Sequence, residues 1–186
     1  MTDPKEIFGR LGNSMFQYAA LYSFAKDFGT DYYFQNPEWF EKYQDEIRVL
    51  FSSDIPDSCD KVAIHIRRGD YVNNPFYVDL TKTTYYQRAL ALFPKEQFLI
   101  FSDDTKWVEE EWKLYDKTRM AISYGGEIED LNKMASCKAH IIANSSFSWW
   151  GAWLCPKYPN NRVVAPREWY SDGVQRTILP SHWVKI

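Results

Sequence analysis

Between residues 62 and 165, short apolar runs alternate with helix-patterned stretches, and this alternation limits the fold more than any other feature of the chain. Val62-Ala63-Ile64-His65-Ile66, Phe98-Leu99-Ile100-Phe101, Met120-Ala121-Ile122, Ala139-His140-Ile141-Ile142-Ala143 and Arg162-Val163-Val164-Ala165 all have strand length, and most are rich in β-branched or aromatic residues. The residues between them predict helices around 82–92, 105–114, 130–137 and 147–154. Strands alternating with helices imply an α/β fold with a mostly parallel sheet covered on both faces. Upstream, Ile7-Phe8 begins like a strand and Gly9 to Asn13 reads as a glycine loop. Met15, Tyr18, Ala19, Tyr22 and Ala25 then recur at helical spacing up to Phe28. A second helix is predicted over residues 37–50, opened by Pro37, and Ser52 to Ser58 is the best linker.

In a parallel sheet, ligands bind beyond the carboxyl ends of the strands, so those ends are where chemistry is expected. The first strand runs into His65-Ile66-Arg67-Arg68-Gly69-Asp70. The two-residue period puts His65 and Arg67 on one face, with Ile64 and Ile66 on the other. A guanidinium there offers a planar, permanently charged fork to phosphate oxygens. The second strand ends in Ser102-Asp103-Asp104. Its two acids could hold a divalent metal, accept from the N–H edge of a guanine, or cap the following helix. The fourth ends in Asn144-Ser145-Ser146, just before Phe147-Ser148-Trp149-Trp150. Free amides and short hydroxyls at a helix start favour an anion, and the loop Gly9 to Asn13 has the same logic. Together these ends suggest a cleft of positive bias that takes a nucleoside diphosphate carrying an attached group. Trp149, Trp150 and Trp153 read as core, given their helical spacing.

Composition excludes several classes. A net charge of −3 and a pI near 5.7 argue against a nonspecific nucleic-acid binder. Cys59, Cys137 and Cys155 have neither zinc spacing nor a disulfide framework and read as reduced thiols. No apolar run is long enough to span a membrane and no secretory signal is visible, which predicts a cytoplasmic protein.

Several blocks, GRLGNSMFQYA, HIRRGDYV, FSDDTKW and DLNKMASCKAHIIANSSFSWWGAWL, resemble the inverting alpha-1,2-fucosyltransferases of bacteria. The tail, with Ala165-Pro166, Trp169 and Pro180-Ser181-His182-Trp183, is also similar. The resemblance implies a two-lobed GT-B arrangement of Rossmann-like domains, GDP-fucose as donor, a glycan acceptor and no metal or other cofactor. By motif, Arg67 would bind the diphosphate and stabilise charge on the departing GDP. His65 and one of Asp103 or Asp104 would address the guanosine. Ser145 and Ser146 would contact the distal phosphate with Phe147 beside them, and Gly12 with Asn13 would approach from the other lobe. Asp70 is the candidate base for the acceptor hydroxyl, although orienting Arg68 is the simpler role for it. The chain departs from the family where Phe28-Gly29-Thr30-Asp31 runs almost directly into Tyr32-Tyr33-Phe34-Gln35. That spacing predicts a reduced N-terminal lobe over residues 1–57 and a nucleotide-sugar-binding domain over 58–186. A homodimer would rebuild the missing wall, and a bacterial or viral origin suits the absent anchor. A catalytically inactive GDP-sugar-binding module and a lectin-like domain are the competing expectations.

Overall fold

The computed structural model describes residues 11–27, 37–52, 54–174 and 179–186. The expected strand at Ile7-Phe8, the residues Gly9 and Arg10 and the block from Phe28 to Gln35 lie outside the described residues. The elements are α1 (Leu11–Asp27), a 3-10 turn (Pro37–Tyr43), α2 (Gln44–Phe51), β1 (Cys59–Ile66), α3 (Tyr85–Ala91), β2 (Phe98–Ser102), α4 (Thr105–Glu110), β3 (Met120–Ile122), α5 (Glu127–Ser136), β4 (Cys137–Ile141), α6 (Ser146–Trp153), β5 (Arg162–Ala165) and β6 (Val184–Lys185). Helix α5 begins earlier than predicted because Glu127, Glu129 and Asp130 suit the positive end of a helix. Strand β6 is two exposed residues with no signal in the sequence.

All six strands are parallel, in the order β3-β2-β1-β4-β5-β6. This is the doubly wound Rossmann-like order. Ile64 pairs with Ile100 on one side and Ile141 on the other, which puts β1 and β4 at the centre. The alternation in β1 divides its side chains as predicted. Val62, Ile64 and Ile66 pack with Tyr86, Ala89, Val108 and Trp112 under α3 and α4. Ala63 faces the opposite layer with Leu99, Phe101 and Met134. The Tyr86 hydroxyl donates to the His65 carbonyl at 2.8 Å and so secures the end of β1.

The second layer is built on tryptophan. Trp149, Trp150 and Trp153 are 2% exposed or less. The ring of Phe16 from α1 lies 4.6 Å from Trp149 and 4.8 Å from Trp150. Helix α1 therefore shares one core with α6, and it begins at Leu11 rather than Ser14. Gly12 and Asn13 sit in its first turn, where a loop was expected. Contact explains the glycine. A Cβ at Gly12 would stand 2.5 Å from the Phe147 nitrogen and 2.6 Å from the Ser146 carbonyl carbon, while the Trp150 indole donates to the Gly12 carbonyl at 3.0 Å. Gly12→Ala should therefore cost about 2–3 kcal/mol and lower Tm by roughly 5–10 °C. Gly151→Ala, which meets the thioether of Met134 rather than backbone, should cost less. Thermal melts of the two variants check this, and a Gly12→Ala melt like that of the parent protein would show that the helices separate freely.

Candidate active site

Strand order reverses between β1 and β4, the position where doubly wound sheets open a crevice. A cavity of about 630 Å³ lies there, lined by Gly12, Asn13, His65, Arg67, Asp70, Asp103, Ser145, Ser146 and Phe147. Nine of the ten residues singled out in the sequence thus meet in one space. The tenth, Asp104, does not line it. Its carboxylate accepts from the Trp107 amide at 3.1 Å and caps α4. The chain leaves β2 at Ser102 and turns into α4 at Asp104, so of the two acids only Asp103 lines the cavity.

Arg67 is the centre of the site. Its side chain is 11% exposed, with Nη1 2.7 Å from Asp103 Oδ2 and Nη2 bonded to Asp70 Oδ1. Asp103 Oδ1 also accepts from the Arg68 amide at 2.8 Å. Gly69 allows this geometry: its φ is +25°, and a Cβ there would stand 2.4 Å from Asp103 Oδ2. The turn Gly69–Tyr71 folds Asp70 back over Arg67, which corrects the expected pairing of Asp70 with Arg68. Arg68 instead lies 3.7 Å over the Trp107 ring, with its Nε 4.0 Å from Asp104.

His65 is 4% exposed, and its ring centre is 5.4 Å from that of Phe147. Burial, and then the charge of Arg67, pushes its pKa down to about 3, so the imidazole is neutral at working pH. Its Nδ1 is buried with no hydrogen-bond partner among the described residues, a polar atom that a ligand in the cavity could satisfy. Across the cavity, Ser145 occupies the N-cap position of α6 but makes no cap hydrogen bond. The Ser146 hydroxyl donates to Asn13 Oδ1 at 2.7 Å, joining the first turns of α1 and α6.

Charge is divided, not uniformly positive. Among the described lining residues, Arg67 is the one cation against the carboxylates Asp70, Asp103, Glu127 and Asp130. Arg67 with its two carboxylate partners and the start of α6 form one wall, and the acids of α5 form another. The lining is thus acidic on balance, and the expected positive bias is corrected to a single guanidinium. Sequence reading missed Glu127 and Asp130, although the strand-end rule applied to β3 would have reached them. It also missed Tyr71, Tyr77 and Tyr170, which line the mouth with Trp169. Among the described residues, no group of three His, Cys, Asp or Glu is placed to hold a metal ion, and no helix is long and apolar enough to cross a membrane.

Comparison with known proteins gives a consistent result. The profile of the family described as glycosyl transferase family 11 matches residues 28–186. The O-antigen biosynthesis glycosyltransferase WbnK of Escherichia coli is 29% identical, aligning with 83% of this chain and 59% of its own length. An alpha-1,2-colitosyltransferase of Escherichia coli is 30% identical over 83% of this chain and 61% of its own. A galactoside 2-alpha-L-fucosyltransferase of Caenorhabditis elegans is 29% identical over 69% of this chain and 42% of its own. The chain thus spans about three-fifths of the length of the two bacterial relatives. No solved structure matches it significantly.

Proposed function

The chain belongs to glycosyl transferase family 11, and from that membership we propose that it binds GDP-fucose and passes the sugar to a glycan hydroxyl, with inversion and in alpha-1,2 linkage. The observation that carries this reading is the cavity at the strand-order reversal, with a buried guanidinium and a helix start on one wall and carboxylates on another. A diphosphate suits the first wall. The N–H donors on the guanine edge suit the second, through Asp130 and Glu127. Asp103 is already engaged with Arg67 and the Arg68 amide, so it positions Arg67 and does not read the base. The unsatisfied Nδ1 of neutral His65 completes the nucleoside end.

In the reaction, the bond from the anomeric carbon to the β-phosphate oxygen breaks, and its electron pair stays on GDP. Arg67 and the first amides of α6, beside Ser145 and Ser146, meet that growing charge with fixed donors, an effect worth about 3–4 kcal/mol for one such group. The acceptor oxygen forms the new bond from the opposite face. Its proton passes to Asp70, the more exposed of the two carboxylates that Arg67 bonds. Residues 58–186 are read as the nucleotide-sugar-binding domain and residues 1–57 as a reduced N-terminal lobe, which a second copy of the chain could extend.

Calorimetry with GDP, GDP-fucose, GDP-mannose and UDP-sugars tests the donor. Guanine nucleotides should bind roughly 100-fold more tightly than uridine nucleotides, because a site built for N–H donors leaves its carboxylates unpaired with uracil. Equal affinity for the two bases would overturn the assignment. Release of GDP in the presence of a galactoside tests transfer.

A further inference from the structure

Four aromatic side chains form one cluster beside the cavity: Tyr71, which lies under the Arg67 guanidinium, and Phe76, Tyr77 and Tyr170, to which the donor reading gives no role. Tyr71 and Tyr77 stack face to face, 3.9 Å apart with 6° between their planes. Phe76 meets Tyr77 edge-on at 5.0 Å and Tyr170 at 5.2 Å. Tyr71, Tyr77 and Tyr170 line the cavity, while Phe76 carries the surface outward and is 44% exposed. Tyr71, Tyr77 and Tyr170 are half-buried, so the cluster keeps part of its ring surface on the cavity.

The backbone beneath these rings is fixed. Tyr77 and Tyr170 form an antiparallel bridge, and the Ser171 amide donates to the Phe76 carbonyl at 3.0 Å. The Asn144 side-chain amide donates to the carbonyls of Val78 at 3.0 Å and Trp169 at 2.9 Å, and the Tyr71 hydroxyl donates to the Asn144 carbonyl at 2.9 Å. Asn144 directly precedes Ser145 at the start of α6, so a single residue locks the aromatic wall to the phosphate end of the cavity. The Arg67 guanidinium lies 5.2 Å over the Tyr71 ring and bonds Asp70, so the aromatic wall adjoins the centre of the site.

We propose that Phe76, Tyr77 and Tyr170 form the acceptor subsite, stacking on the apolar C–H face of a pyranoside such as a β-galactoside. Its reacting hydroxyl is then directed inward past Asp70. The inference rests on reading the cavity as the donor-sugar site. Aromatic faces bind sugars through their C–H bonds and tolerate hydroxyls at the edge, so they suit a hexose better than an ion or a nucleic-acid backbone. Asn144 is a positioning residue for this surface.

The test uses the whole chain with methyl β-galactoside as acceptor probe. Phe76→Ala and Tyr170→Leu should each raise the acceptor KM by about 5- to 10-fold. The limiting turnover should stay within about twofold and GDP affinity should match the parent. Unchanged acceptor KM in both variants would overturn the subsite, as would a parallel loss of GDP affinity. Saturation-transfer NMR reads the same contact without turnover. Methyl β-galactoside should receive magnetisation from the parent protein and lose it in Phe76→Ala, and no transfer in the parent would also overturn the subsite. If GDP fails to bind the parent, the donor reading falls, and the NMR result decides the aromatic surface independently.

Discussion

Replacing Arg67 by lysine should lower kcat/KM for glycosyl transfer by about 100- to 1,000-fold. The guanidinium uses two nitrogens to bridge Asp103 and Asp70, and the planar fork still has N–H donors to turn toward a phosphate. A lysine ammonium is a point charge on a flexible stem. It can pair with one carboxylate or approach the phosphate, but it cannot hold that geometry together. Because the charge is kept, the fold should survive, so Tm should change little while turnover falls. The deficit should persist at saturating donor, since the interaction is needed most when charge reaches the departing diphosphate. Steady-state kinetics decide the matter. A variant within threefold of the parent at saturating donor would remove Arg67 from the reaction.

Acid should destabilise the protein at pH values where its carboxylates are still ionised. Two histidines are buried and neutral: His65 in the cavity wall, with its pKa pushed down to about 3, and His140 in β4, pushed down to about 4. Burial is the main cause in both. Nε2 of His140 donates to the Met134 carbonyl at 2.9 Å, and its Nδ1 faces the Asn161 side chain at 3.4 Å, an arrangement that requires the neutral ring. In the unfolded chain each imidazole takes a proton near 6.5, so below that pH the unfolded state binds more protons than the folded one. Stability is complete above about pH 7 and falls as pH drops. From pH 7.5 to pH 5 the two residues together should remove about 4 kcal/mol, a large share of the roughly 5–15 kcal/mol that holds an ordinary domain. Urea midpoints at pH 7.5, 6 and 5 measure the loss. His140→Gln keeps an amide for the Met134 carbonyl and carries no titrating group, so it should remove about half of the dependence. Midpoints that stay level over this range would show that the imidazoles are already solvated in the folded state.

Much of this architecture is legible in the chain because it follows from local periods. The two-residue alternation of Val62 to Ile66 divides Ile64 and Ile66 from the face that carries His65 and Arg67, and the structure keeps that division. The helical spacing of Trp149, Trp150 and Trp153 marks them as core, and they are buried. Rules for strand ends and helix starts lead to HIRRGD, SDD and NSS, and each of the three places residues in one cavity. Each of these is a property of neighbours in sequence.

Other features depend on groups that only the folded chain brings together. Asp103 and Asp104 are adjacent and chemically alike, yet one braces Arg67 and the other caps a helix, because the chain turns between them. Gly12 reads as a loop residue until Ser146 and Phe147 come within 2.6 Å of where its Cβ would stand. The bridge from Tyr77 to Tyr170 joins segments far apart in the chain, and Glu127 and Asp130 matter only once β3 and β2 lie beside β1. The sequence determined strands β1 to β5, the faces they bury and the residues at their ends, because backbone periodicity acts over a few residues. The tertiary structure decided which ends share a cavity, how charge is divided across it and where an aromatic wall opens beside it, because those depend on strand order and on contacts between distant segments.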